Sequence, residues 1–253
     1  MKYSNTHNLP AHVVEAIVKN TYDVARDDSS IISMTQLINP PRIRSLSVRH
    51  WAELEEDVAD NLWRLFGNTI HAVMERIDQH NRFIEERLKE PIMGITVVGR
   101  PDLYEDEVIN DYKFTSVWAV NKEKIEWVNQ INGYAWFFRK MGFKVEKGFI
   151  NAFLRDWRKS EAKKYKSYPK IPFKLLPIEI WDFKTQDEYI HDRIAEHVNA
   201  DKETDKNLPL CTPEERWDDK RCKDYCAVAP FCTYWQKKYG NPVHAENPAL
   251  EEL

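Results

Sequence analysis

Three features of the sequence predict an α/β fold with a central mixed β-sheet flanked by helices. Helical periodicity comes first, then a meander of short strands, then a helix and further strands, the order of a sheet covered on its faces by helices. Hydrophobic residues make up 42% and charged residues 31% of the 253 positions, the balance of a globular chain that can bury a core unaided. All four cysteines fall between Cys211 and Cys232. We therefore place a core with an N-terminal helical region over residues 1–205 and a small, metal-bound, Cys-rich segment over 206–253, packed on that core.

The elements follow from local pattern. Residues 10–26 carry apolar side chains at helical spacing, with Pro10 suited to a first turn. Ser33 opens a short turn or helix, which Pro40 and Pro41 are expected to stop. Residues 49–79 read as one long helix or two in series, with Trp51, Leu54, Val58, Leu62, Leu65 and Phe66 as the buried stripe and a bend at Gly67. Runs rich in Ile, Val and Thr predict strands at 82–89, 92–103 and 107–114, with a polar turn over 104–107. A helix over 121–140, strands near 143–155 and 173–182, and a helix over 186–199 complete the order.

Composition removes several classes of function. With only seven glycines and no G-x-x-x-x-G-K or G-x-G-x-x-G, a phosphate-cradling loop is not expected, nor an ATPase motor or a Rossmann dehydrogenase. No apolar run approaches the ~20 residues of a membrane helix. The first residues lack a charged-then-apolar leader, so a cytoplasmic address is expected. The net charge of -4 requires any nucleic-acid contact to use local basic patches.

The informative segment is Gly99-Arg100-Pro101-Asp102 followed by Val108-Ile109-Asn110-Asp111-Tyr112-Lys113. Residues two apart in a strand share a face, so Asp111 and Lys113 point one way and Asn110 and Tyr112 the other. A hairpin brings Asp102 to Asp111 and Lys113. Two carboxylates suit a hard divalent cation, and a lysine can orient water and offset charge on a phosphorane. The bland reading is a surface hairpin with a salt bridge. Upstream, His71 and Glu75 lie four apart on one helical face, where an imidazole can join a cation's shell. Downstream, Gln130 and Tyr134 share a face of another helix.

The ordered set G-x-x-x-H-x-x-x-E, G-x-P-D, D-x-K and Q-x-x-x-Y resembles the PD-(D/E)XK nuclease superfamily. More narrowly it resembles the RecB-type branch, with its CRISPR-associated RecB-like exonucleases, bacteriophage lambda exonuclease and phage relatives. The resemblance spans roughly residues 30–240. It implies a restriction-endonuclease-like core, and metal-dependent hydrolysis of DNA phosphodiesters, often from an end. By the same resemblance His71, Asp102, Asp111 and the carbonyl of Tyr112 would hold Mg²⁺ or Mn²⁺, and Lys113 would be the catalytic lysine. Gln130 and Tyr134 would support the site or touch the strand, and Glu75 matches an acid that only some members use. The address becomes the cytoplasm of a bacterium or of a phage-infected host.

The cysteines run Cys211-x10-Cys222-x3-Cys226-x5-Cys232. Four thiolates hold either tetrahedral Zn²⁺ or an iron–sulfur cluster. The two C-x-x-C pairs of a zinc ribbon are missing. The C-x3-C-x5-C ending resembles the 4Fe–4S staple of RecB-type nucleases, whose last cysteines run C-x2-C-x5-C with the first far upstream. This chain departs in one gap and in the place of the first cysteine, so zinc stays as the alternative. Trp217, Tyr225, Phe231, Tyr234 and Trp235 are expected to surround the site.

Residues 155–170 hold seven Lys/Arg against two acids, with Trp157, Tyr165 and Tyr168 interleaved. Cations for phosphates and aromatic faces for bases suit a nucleic-acid strand, so Arg155, Arg158, Lys159, Lys163, Lys164 and Lys166 are expected to bind DNA without regard to sequence. Arg42, Arg44, Arg49 and His50 form a second basic stretch. Three functions compete: a metal-dependent exonuclease of DNA processing or recombination, a structure-specific or single-strand endonuclease on the same site, and a non-catalytic DNA-binding or partner module. A helicase or recombination partner would be a separate chain, and no residue identifies an oligomer interface.

Overall fold

Two antiparallel hairpins joined by a parallel pair build the sheet that carries the motifs. The structure is a computed structural model that describes residues 1–19, 29–77, 80–122 and 124–240. The N-terminal region contains β1 (Lys2–Ser4), α1 (Ala11–Lys19), β2 (Ile31–Ser33), α2 (Met34–Leu37) and α3 (Pro41–Arg49). Residues 20–26 of the expected first helix lie outside the described residues. Ser33 opens α2 through a capping box with Gln36. That helix ends at Leu37, before Pro40 and Pro41 as expected, and the prolines also start α3, with Pro41 in its first turn, where a missing N–H costs nothing.

The one long helix or two in series expected over 49–79 is corrected to a single shorter one. The chain turns after His50, forms β3 (Glu55–Asp57), which pairs parallel with β1, and enters α4 (Leu62–Met74) through a short 3-10 turn. Asp57 accepts from the Ala59 amide and so restarts the helix. Spacing of three and four among Trp51, Leu54 and Val58 does not separate a helix from this turn–strand–turn path. Leu54 and Val58 are buried as expected, Phe66 is 52% exposed, and α4 runs through Gly67.

The strands expected at 82–89 and 92–103 are each cut in two: β4 (Phe83–Ile84) and β5 (Leu88–Ile92), then β6 (Ile95–Gly99) and β7 (Leu103–Glu105). Left-handed Glu85, at φ +52°, breaks the first. Pro101, which has no N–H for a ladder, lies in the second break. The turn narrows to Asp106-Glu107, both at positive φ, as a two-residue hairpin linking β7 to β8 (Val108–Thr115). Then follow α5 (Ile125–Lys140), β9 (Lys147–Leu154), α6 (Lys159–Lys164), β10 (Phe173–Ile178) and α7 (Phe183–Lys202).

The main sheet has the order β10-β9-β8-β7-β4, with β8 and β9 parallel and the other pairs antiparallel. A smaller sheet, β2-β6-β5, is also mixed. Helix α5 is buried almost all round, because Trp127, Ile131, Ala135 and Phe138 pack in the core while Asn132 and Arg139 satisfy other elements. Asn132 takes the Trp181 amide and donates to the Glu179 carbonyl, while Arg139 reaches the carbonyls of Trp181 and Val145. A methyl group on Gly99 would stand 2.6 Å from the Phe137 ring, so the glycine of G-x-P-D lets β6 approach α5.

The last described segment, with α8 (Lys220–Asp224) and α9 (Thr233–Lys238), forms a second hydrophobic cluster. In it Val228 and Cys232 pack with Leu46 and Leu54 from the N-terminal region and with Ala200 of α7. Residues 241–253 of the segment lie outside the described residues. Among the described residues no helix is long and apolar enough to cross a membrane.

Candidate active site

Alternation along β8 turns Asp111 and Lys113 toward α5, and the hairpin carries Asp102 beside them. Asp102 Oδ2 accepts from the Tyr112 backbone N–H at 2.5 Å. Its carboxyl is raised above the usual range, first by burial and then by the charge of Asp111. Asp111 is wholly buried. Neither of its oxygens accepts a well-aligned hydrogen bond, although the Lys113 ammonium stands 2.7 Å from Oδ2. Burial pulls that ammonium down, but Asp111 and Asp102 together outweigh it and hold it above its ordinary value.

From α5, Gln130 Oε1 accepts from Lys113 Nζ at 3.0 Å, and its amide donates to the Tyr134 hydroxyl at 3.2 Å. One turn of helix sets Gln130 and Tyr134 on the same face, as their spacing predicts. Burial raises the Tyr134 hydroxyl well above the ordinary tyrosine value, and the nearby carboxylates add to it, so it stays neutral.

From α4, His71 Nδ1 lies 2.9 Å from Glu85 Oε1 and 3.4 Å from Asp102 Oδ1. Burial lowers this imidazole, but Glu85, Asp102 and Asp111 raise it further than burial lowers it. Tyr112 turns to the other face and meets the His71 ring edge-on at 6.2 Å.

Glu75 does not join this group. Its carboxylate takes Arg100 Nη2 at 2.7 Å instead. The acid beside His71 is Glu85, which the sequence reading missed. Glu85 accepts from Arg100 Nε at 2.9 Å through its side chain, and at 3.0 Å through its backbone carbonyl. Its own N–H donates to the Asp102 carbonyl. These contacts hold it in the left-handed region, and strain of this kind collects at functional sites. No spacing rule relates position 85 to the hairpin; only the break between β4 and β5 puts it there. Lys124, just before α5, sets its ammonium over the Trp127 ring at 4.8 Å, and burial lowers it against the pull of Glu126.

Among the described residues, the ligand atoms of His71, Glu85 and Asp102 lie within 4.8 Å of one another. With Asp111 buried beside them and short of hydrogen bonds, this donor set fits a hard divalent cation. Oxygen donors plus one imidazole are the set that Mg²⁺ or Mn²⁺ accepts.

The four cysteines line one pocket, together with Arg42, Arg216, Arg221, Tyr234 and Trp235. Burial pushes the Cys211 thiol up to about 12, with Glu215 adding to it, so its thiolate needs a cation to form. Of the expected aromatics, Tyr234 and Trp235 reach the pocket, Phe231 stacks on His50 at 4.1 Å, and Trp217 and Tyr225 are exposed. Asp219 ties the segment together, accepting from Arg216, Tyr234 and Tyr239 and pairing with Lys238.

Arg155, Arg158, Lys159, Lys163, Lys164 and Lys166 are all exposed, the last four on or beside α6. The aromatics among them are reassigned. Trp157 donates to the Pro169 carbonyl and Tyr168 takes the Arg158 amide, which closes the loop, and Tyr165 alone is exposed. The second basic stretch is corrected as a DNA surface. Arg42 and Arg44 are each only 2% exposed, and Arg49 and His50 both pair with Asp205. The stretch lies on α3 and its cap, packed against α7, so its charges are satisfied inside.

The sequence pattern of the PD-(D/E)XK nuclease superfamily matches residues 8–233, and the chain belongs to that superfamily. It is therefore a metal-dependent nuclease, and nucleases of this superfamily use Mg²⁺ or Mn²⁺. The fold is similar to the crystal structure of SSO0001, at 19% identity and a TM-score of 0.55, over 88% of this chain and 95% of that one. No curated protein matches the chain.

Proposed function

We propose that this chain is a sequence-independent DNA exonuclease of the RecB-like branch, of phage or mobile-element type, working in DNA processing or recombination. One observation carries the reading: the ligand atoms of His71, Glu85 and Asp102 converge beside the buried Asp111, with Lys113 2.7 Å from it. His71, Asp102, Asp111 and the Tyr112 carbonyl would hold the divalent cation, with Glu85 in reach. The cation supplies electrostatic stabilisation of the phosphoryl oxygens.

Lys113 orients the attacking water and offsets the negative charge that builds on the phosphorus oxygens. Gln130 fixes the lysine by accepting one of its N–H bonds, and Tyr134 fixes Gln130. The exposed Lys/Arg of residues 155–166 track the backbone, which gives affinity without base reading.

The four cysteines would hold a 4Fe–4S cluster that pins the C-terminal segment. Arginines 42, 216 and 221 at their pocket would balance its negative charge. Sulfurs around one tetrahedral Zn²⁺ at ~2.3 Å stand about 3.8 Å apart. A 4Fe–4S cluster needs a wider sulfur spacing, and zinc stays as the alternative.

The test uses anaerobically purified protein on linear and circular DNA, with Mg²⁺, Mn²⁺ or EDTA. Metal-dependent loss of linear DNA with survival of circles is expected, along with the broad visible absorption of an iron–sulfur cluster. Cutting of circles would make it an endonuclease, and a colourless zinc-loaded protein would replace the cluster with zinc.

A further inference from the structure

The face of β8–β9–β10 away from α5 carries aromatic side chains that the core does not need. Phe114, Phe153 and Phe173 are register partners on three adjacent strands and form one row across the sheet. All three are half-exposed. The rings of Phe153 and Phe173 stand 5.3 Å apart. At the Phe114 end the row continues onto α4, where Trp63 and Phe66 each lie 6.2 Å from Phe114. Trp63 is 55% and Phe66 52% exposed. The Arg155 guanidinium covers the Trp63 ring at 4.7 Å.

We propose that this row is a stacking platform for the unpaired bases of a single-stranded DNA substrate. Three features select that occupant. First, the row lies close to the site along the chain: Phe114 follows Lys113 on β8, on the opposite face of the sheet, and Trp63 lies two turns before His71 on α4. Second, the basic segment begins at the row: Arg155 both covers Trp63 and donates its backbone N–H to the Thr115 carbonyl at the end of β8. Rings beside guanidinium and ammonium groups pair bases with phosphates, the combination that binds single strands without regard to sequence. Third, base faces are free to stack only when unpaired, and a duplex offers its edges alone. The inference rests on the nuclease reading for its choice of ligand and adds the strandedness of the substrate.

The test measures binding by the full chain in EDTA, where no cutting occurs. The probes are a fluorescent oligothymidylate, an abasic strand of equal length and a duplex. The wild type is expected to prefer oligothymidylate over the abasic strand by about tenfold or more, since each stacked base contributes that order. Trp63→Leu and the double variant Trp63→Ala/Phe66→Ala are expected to lose the preference while still binding the abasic strand through the lysines. Trp63→Phe is expected to keep most of it. Equal binding of the two strands by the wild type, or equal loss of both in Trp63→Leu, overturns the proposal. So does a Trp63→Leu protein that changes from dimer to monomer with oligothymidylate affinity intact, since the face would then bind a second copy. A protein that stacks bases but cuts nothing with Mn²⁺ upholds the platform and sinks the nuclease reading alone.

Discussion

Gln130 and Asp111 share the Lys113 ammonium: Gln130 Oε1 accepts from Nζ at 3.0 Å, and Asp111 Oδ2 lies 2.7 Å from the same nitrogen. Removing the amide frees a long side chain whose position matters to the reaction. Gln130→Leu should lower kcat by about 100-fold, the usual consequence of a misplaced catalytic group, with KM for DNA little changed. Tyr134→Phe leaves Gln130 one hydrogen bond short and should cost less. Steady-state kinetics on one DNA substrate separates the two effects.

Glu85 and Glu75 make opposite predictions. Glu85 contacts His71 and Arg100 and reaches the proposed metal site, whereas Glu75 contacts Arg100. Glu85→Gln should weaken Mn²⁺ binding by about tenfold or more, as loss of a metal's supporting carboxylate does. Glu75→Gln should change it little. Calorimetric titration of each variant with Mn²⁺ checks the ranking.

His197 makes the fold acid-sensitive. Its Nε2 lies 3.1 Å from the Leu37 carbonyl, Nδ1 has no partner, and burial pulls the imidazole down to about 4. The unfolded chain takes up this proton near 6.5 while the native one resists. The stabilisation is therefore complete above about pH 6.5, falls as pH drops, and is lost below pH 4, a change of about 3 kcal/mol. His197→Gln keeps a donor for Leu37 and should flatten that slope in urea unfolding between pH 7 and 4.

Arg42 links α3 to the cysteine segment from the inside. It donates to the carbonyls of Leu208 and Pro209, to Thr233 Oγ1 and to Cys232 Sγ. Arg42→Met leaves these acceptors buried and unpaired, and should destabilise the protein by about 3 kcal/mol. Thermal unfolding checks this.

The motifs legible in the sequence were those whose spacing matches a period. Two-residue alternation put Asp111 and Lys113 on one face, and four-residue spacing put Gln130 under Tyr134. Glu85 escaped because a chain break and tertiary packing, rather than local period, bring it in. Arg42 and Arg44 misled for the same reason, since a charge run reads as surface until Asp201 and the Leu208 carbonyl supply buried partners. In the fold, the strand, helix and strand order was readable. The breaks at Glu85 and Pro101 and the β3 detour were not, because they depend on contacts such as Arg100 with Glu85 and Asp57 with Thr6.

The most direct test of the central claim compares wild type, Lys113→Ala and Asp111→Asn on labelled linear DNA with Mg²⁺, Mn²⁺ or EDTA, with DNA binding measured on the same samples. The account predicts metal-dependent cleavage by the wild type, none above background by either variant, and DNA affinity retained by Lys113→Ala. Cleavage that survives in Lys113→Ala, or a folded, metal-loaded wild type that binds DNA without cutting it, would contradict it.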